Sequence, residues 1–147
     1  MSRFLSVKAA RGNFFDSAKV VKAVDAATRK VLSKFGAFVR TRARTSIRKR
    51  KGISPPAGPP SSHTGLLKKF LFFSYDADRK SVVIGPARLG STVDPAALPA
   101  LEYGGRSSVV NRKGRRRRIS VRPRPFMGPA LAAELPGLPA MWRDSVR

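Results

Sequence analysis

Among residue types able to do acid-base, nucleophilic or metal chemistry, this 147-residue chain holds eight acids, one histidine and no cysteine. General acid-base work needs paired carboxylates, or a histidine with an orienting acid. The acids Asp16, Asp25, Asp76, Asp78, Asp94, Glu102, Glu134 and Asp144 are scattered. Asp76 and Asp78 stand beside Arg79 and Lys80 and read as turn residues rather than metal ligands. His63 follows Ser61 and Ser62 in a Pro-rich stretch, which gives a nucleophile and its base no fixed geometry. No phosphate-cradling Gly-rich loop, dinucleotide fingerprint or zinc spacing occurs. Without cysteine there is no disulfide framework and no thiolate chemistry. The expectation is a protein that is not an enzyme, with no cofactor and no metal.

The stronger chemical signal is charge. Lys and Arg number 31 against 8 Asp and Glu, a formal charge of +23. A field of this sign draws in polyanions, and each phosphate it neutralises releases condensed counterions. Sixteen of the basic residues fall in two windows. The first holds Arg40, Arg42, Arg44, Arg48, Lys49, Arg50 and Lys51; the second holds Arg106, Arg112, Lys113, Arg115, Arg116, Arg117, Arg118, Arg122 and Arg124. From these, Arg40, Arg44, Arg48, Lys49, Arg50, Lys51, Arg112, Lys113 and Arg115 to Arg118 are the candidate contacts to DNA or to an acidic protein surface. A solvated, mobile basic loop is the bland alternative. The aromatic residues are mostly Phe within apolar runs and read as core, so base recognition is not expected.

The elements that must carry these charges follow from periodicity. An apolar content of 41% supports one modest core. Residues 1–15 read as an N-terminal arm, and 16–147 as a single α+β domain. From Asp16 or Ser17, the residues Val20, Val24, Ala27, Val31, Phe35 and Phe38 recur at three and four. This stripe predicts a helix over about 17 to 49, roughly 50 Å long. Its first half faces the core, and its basic end is either a projecting tip or an ordinary solvated end. Residues 52–62 hold four prolines and read as an extended linker. Leu66 to Tyr75 and Ser81 to Ile84 predict an antiparallel hairpin around the turn 76–80, with Leu66 to Lys69 open to a helical turn instead. A short helix is expected around Ala96 to Tyr103, then a hairpin over 107–121 whose tip is basic. Pro129 marks a first helical position, and Pro136-Gly137 breaks the last helix. The fold class is therefore α+β: a long N-terminal amphipathic helix on a small, mostly antiparallel sheet, with a short broken C-terminal helix. The longest apolar run, Phe70 to Phe73, is far short of a membrane span, and no secretory leader is visible at residues 1–12. An intracellular protein without membrane contact is expected.

The order of landmarks adds a resemblance. Thr64-Gly65-Leu66-Leu67 follows the long helix, Val83-Ile84-Gly85-Pro86 closes the first hairpin, Glu102-Tyr103-Gly104 comes next, and Arg124-Pro125-Phe126-Met127-Gly128-Pro129-Ala130-Leu131 enters the last helix. This order resembles the small neck and tail-completion proteins of tailed double-stranded-DNA bacteriophages, the minor tail component or head-tail joining family. The chain departs from that pattern at His63, where an acid is usual, and at Gly105, where Thr is common. Thr64, Gly65, Gly85, Pro86, Glu102, Tyr103, Gly104, Arg124, Pro125, Phe126 and Pro129 are the candidate structural motif residues. Independently of the family, Gly65 and Gly104 are expected at turns with φ > 0, and Phe126 with Leu131 is expected to anchor the C-terminal segment. Glu102 is expected to pair with Arg124, against the alternative of two surface charges close by chance.

The resemblance implies a structural virion protein that completes or connects the tail, in a six-fold or twelve-fold homo-oligomeric ring at the neck or top of the tail. It would be assembled in the host bacterial cytoplasm. Its partners would be adjoining neck, connector or tail-tube proteins, with non-specific contact to duplex DNA in the lumen. In such a ring, segments 1–15 and 52–62 would dock on neighbouring subunits. The rival expectation is a ribosomal or nucleoid-type nucleic-acid-binding protein, which charge, size and Pro/Gly-rich extensions fit equally.

Overall fold

The computed structural model describes residues 16–87, 94–111, 113–143 and 145. The expected N-terminal arm and Arg112 lie outside them. The fold is α+β. Helix α1 (Ser17–Ser46) leads to a single helical turn, α2 (Leu66–Lys69), and then to a hairpin of β1 (Leu71–Asp76) and β2 (Ser81–Pro86). Helix α3 (Ala97–Tyr103) precedes a second hairpin, β3 (Gly105–Val110) and β4 (Arg116–Val121). The chain ends in α4 (Met127–Glu134), a 3₁₀ turn (Leu135–Gly137) and α5 (Leu138–Trp142). The expected small sheet is two separate antiparallel pairs, β1-β2 and β3-β4.

Helix α1 starts where Asp16 accepts the Lys19 N–H at 3.2 Å, an N-cap bond that satisfies one orphan donor. It is buried along Ala27, Val31, Phe35, Val39 and Ala43, and the row continues into Ile47 just past its end. The i, i+4 spacing winds this row around the cylinder, so different stretches meet different partners. One side takes the first hairpin. Arg40 Nε donates to the Leu71 carbonyl at 2.6 Å, and Lys80 Nζ pairs with Asp25 Oδ1 at 2.6 Å. Residues 25 and 40 are about 22 Å apart along a helix, close to the roughly 20 Å of a six-residue strand, so the hairpin lies along α1 with its tip toward the helix start. Gly36 permits this contact: a Cβ there would stand 2.7 Å from Val82 Cγ2 and 3.0 Å from Phe73 Cδ2. The other side takes α4, where Arg42 Nε pairs with Glu134 Oε1. Phe35, Val39, Ala43, Ile47, Leu71, Phe126 and Ala130 form one buried cluster, flanked by Leu67, Val82, Ile84, Leu101, Met127, Leu138 and Met141.

Three expectations for α1 are corrected. It ends at Ser46 rather than 49, because the Thr45 and Ser46 hydroxyls donate to the Arg42 and Ala43 carbonyls and Ile47 turns extended at ψ 118. Burial is not confined to its first half: the buried row that begins at Ala27 runs on through Ala43 and Ile47, both 0% exposed, while Val20, Val21 and Val24 before it are 46%, 55% and 43% exposed. Its end is therefore not a projecting tip. Apolar spacing alone cannot say which end of a long amphipathic stripe finds partners.

The 52–62 segment is not a free linker. Arg48 and Ser61 form a parallel bridge, and the Ser62 N–H donates to the Arg48 carbonyl at 3.0 Å. The Ala57 N–H donates to the Pro123 carbonyl at 2.9 Å, and Ser54, Pro60 and Ser62 are buried. Proline denies donors but leaves carbonyls and rigid apolar rings, enough for docking on the same chain. At the chain end, Pro129 occupies the third helical position of α4 rather than the first. Leu131 is 43% exposed, so Ala130, at 3%, is the residue that anchors α4 beside Phe126. Pro136 and Pro139 set the break, and Leu138 and Met141 return to the core while Trp142 stays at the surface. Among the described residues, no helix is long and apolar enough to cross a membrane.

Each hairpin has an outer edge tied down by a charged side chain. The Asn111 N–H donates to the Arg115 carbonyl, so the alternating ladder turns the Ser108 N–H away from β4. Asp94 takes it at 2.6 Å, along with the Ala96 N–H at 3.0 Å and the Ser108 and Ser107 hydroxyls at 2.9 and 3.2 Å. These bonds, that from Ala96 foremost and then those from Ser108, lower the Asp94 carboxyl from 3.8 to about 2. A carboxyl lowered in the folded state stabilises it above the unfolded value, and that contribution vanishes as pH falls through the folded value. The Ser108 amide is therefore expected to lose hydrogen-exchange protection, relative to the β1-β2 amides, between about pH 4 and pH 2. Asp94→Asn should abolish that differential; an unchanged profile in the variant would contradict the assignment.

Candidate polyanion interface and the motif junction

The motif residues converge on one junction. Glu102, on α3, directs its carboxylate at the start of α4 and accepts three backbone donors: Phe126 N–H and Met127 N–H to Oε2 at 3.0 and 3.2 Å, and Gly128 N–H to Oε1 at 2.7 Å. The first four N–H groups of a helix have no partner within it. Here the carboxylate takes three of them, and the fourth position is Pro129, which has no N–H. The helix end is fully satisfied, and the negative charge lies at the positive pole of the helix dipole. A side chain at Gly128 would bring its Cβ to 3.3 Å from Glu102 Oε1.

The expected Glu102–Arg124 ion pair is therefore absent. The two motifs do meet, but through the carboxylate and backbone amides. Arg124 serves the adjoining loop: its Nε donates to the Ser54 carbonyl at 3.0 Å, its Nη1 to the Arg122 carbonyl at 3.3 Å, and its own N–H to the Leu101 carbonyl at 2.7 Å. Spacing showed that these residues belong together; it could not show that unpaired helix amides outbid a guanidinium for the carboxylate. Gly104 follows with φ +80, and a Cβ there would stand 3.0 Å from Pro123 Cδ. Gly65 also holds a positive φ, of +79, at the entry to α2, where Thr64 Oγ1 accepts the Leu66 N–H at 3.4 Å. Phe126 is buried, Pro125 half-buried, and Tyr103 is 83% exposed. Gly85 and Pro86 are the last residues of β2. Among the described residues, no group of three or more His, Cys, Asp or Glu could hold a metal ion.

The candidate contact residues separate into three groups. Arg40 is no contact: it is half-buried and committed to the Leu71 carbonyl, which the ladder turns outward from β1. Arg44, Arg48, Lys49, Arg50 and Lys51 are exposed around the end of α1, and the last four stand on the extended segment after it. Lys113, Arg115, Arg116, Arg117 and Arg118 are exposed at the far end of the second hairpin. Among the described residues, none of these ten cations has a carboxylate partner. The hairpin tip is well shaped: Asn111 Oδ1 accepts the Lys113 and Arg115 N–H groups at 3.0 and 2.8 Å, and Gly114 takes φ +73. By register, Arg106, Arg116 and Arg118 share one face of the ribbon, and Arg117 lies on the other with Val109. A two-stranded ribbon with cations on both faces is suited to phosphates on either side of a groove.

Two outcomes are expected. Glu102→Ala leaves three helix donors without an acceptor and should cost about 2 kcal/mol in denaturant unfolding; a loss under about 0.5 kcal/mol would remove the junction from its role. Changing Arg115 to Arg118 together to Gln should leave the melting temperature within a few degrees of the parent. The same change should reduce the salt slope of duplex binding by about 3 to 4, one unit per lost phosphate contact.

Comparison with protein families, with curated proteins and with solved structures finds no match to this chain.

Proposed function

We propose that the chain is a structural protein of a tailed phage or a phage-like particle, one subunit of a ring at the head-tail junction or at the top of the tail. The observation that carries this reading is the uncovered start of α1. Val20, Val21 and Val24 are roughly half exposed on a helix that lines the core from Ala27 onward. Phe72 and Val83, at 48% and 63%, add apolar surface on the outward side of the first hairpin. Among the described residues these faces are exposed, and neighbouring copies in a closed ring would cover them. The ordered motifs point the same way, since their residues are spent on building a junction and not on chemistry. In a particle, the cations of the second hairpin would face the passing DNA or an acidic surface of the adjoining ring.

The rival reading, a ribosomal or nucleoid-type binder, draws on the same unpaired arginines. Light scattering and negative-stain electron microscopy at about 150 mM salt separate the two. Closed cyclic rings are expected, of about six or twelve subunits as the resemblance implies. Val21→Glu with Val24→Glu should leave native circular dichroism and no rings. A monomer that binds duplex or ribosomal RNA at micromolar affinity or tighter at that salt would overturn the ring.

A further inference from the structure

A recess of about 400 Å³ lies between the end of α1 and the loop 54–60. Its wall carries Arg48 and Arg50 and no acidic residue. Three points of that wall are pinned from outside. Arg48 is held by its bridge to Ser61, the Arg50 carbonyl by a bond from His63 Nδ1 at 2.8 Å, and the Ser54 carbonyl by Arg124 Nε at 3.0 Å. Ser54 itself is 5% exposed, and its Oγ is, among the described residues, the buried side-chain polar atom without a hydrogen-bond partner. The two helical hydroxyls lining the recess are already engaged, Thr45 with the Arg42 carbonyl and Ser46 with that of Ala43. A buried hydroxyl without a partner costs free energy that a bound acceptor returns.

We propose that this recess binds one phosphate group, held by the Arg48 and Arg50 guanidiniums with a hydrogen bond donated by Ser54 Oγ. The charge balance favours an anion: the end of α1 contributes roughly half a negative charge, against two full positive ones. Guanidinium forks match phosphate oxygens, and Ser54, which lines the recess, supplies a hydroxyl donor without another partner. The phosphate belongs either to a nucleic-acid backbone or to a small phosphate ester. The site rests on local geometry and holds whichever assembly the chain builds.

The test uses the full chain with Arg115 to Arg118 changed to Gln, which removes competing surface cations. Inorganic phosphate is titrated while nuclear magnetic resonance follows the Arg50 and Ser54 amides, with chloride at matched ionic strength as control. A saturable one-to-one shift specific to phosphate is expected. Ser54→Ala should weaken it about tenfold, the worth of one hydrogen bond to a charged group, and should leave the melting temperature in phosphate-free buffer unchanged or raised. Absence of saturation, parental affinity in Ser54→Ala, or a lowered melting temperature in that variant would each overturn the site. A short DNA duplex that displaces phosphate from the same amides assigns the backbone as source; phosphate binding that survives the duplex assigns a free ester.

Discussion

Three backbone amides at the start of α4 and one carboxylate reaching them from α3 set how the C-terminal third of the chain sits. Phe126, the first of the three, carries its side chain into the central cluster with Phe35, Val39, Ala43 and Ile47. Holding its amide therefore also holds the core plug. The segment just before it, residues 122–125, is the floor on which the Pro-rich loop docks, through the Pro123 carbonyl and the Arg124 guanidinium. Gly104 and Gly128 are the places where a side chain would crowd this arrangement. Glu102, Gly104, Arg124, Phe126 and Pro129, which carry much of the resemblance in the sequence, thus have a common physical purpose.

A chain of charge +23 must also fold against its own repulsion. It does so by sorting its cations. Arg40, Arg42, Lys80 and Arg124 bind carbonyls or carboxylates that join one element to another. The remaining dense clusters are kept at the hairpin end and along the segment after α1, where water and counterions screen them. An anionic partner at either cluster would relieve repulsion as well as make contacts, and its binding would then raise stability. The same sorting leaves the exposed arginines free of structural duty and so available for contact.

Composition and local pattern determined much of this protein. They specified the α+β class, the start of α1 near Asp16 or Ser17, both hairpins with the Asp76 turn, in which Oδ1 accepts the Asp78 and Arg79 N–H groups, the positive φ of Gly65 and Gly104, and the broken C-terminal helix. These are properties of short stretches, decided by side-chain period, by proline's missing donor and by glycine's missing Cβ. The role of Asp94 is not legible in the sequence because its partners, Ser107 and Ser108, lie on a strand edge that only the assembled ladder exposes. The Ser54 recess was hidden for the same kind of reason, being made by a loop read as a linker. Only the tertiary structure decided that the Pro-rich segment would dock on its own chain, that Arg40 would be a strut, and that Glu102 would choose amides over Arg124. Each of these is a competition between partners distant in sequence, and it is settled by which buried donor or acceptor would otherwise go unpaired.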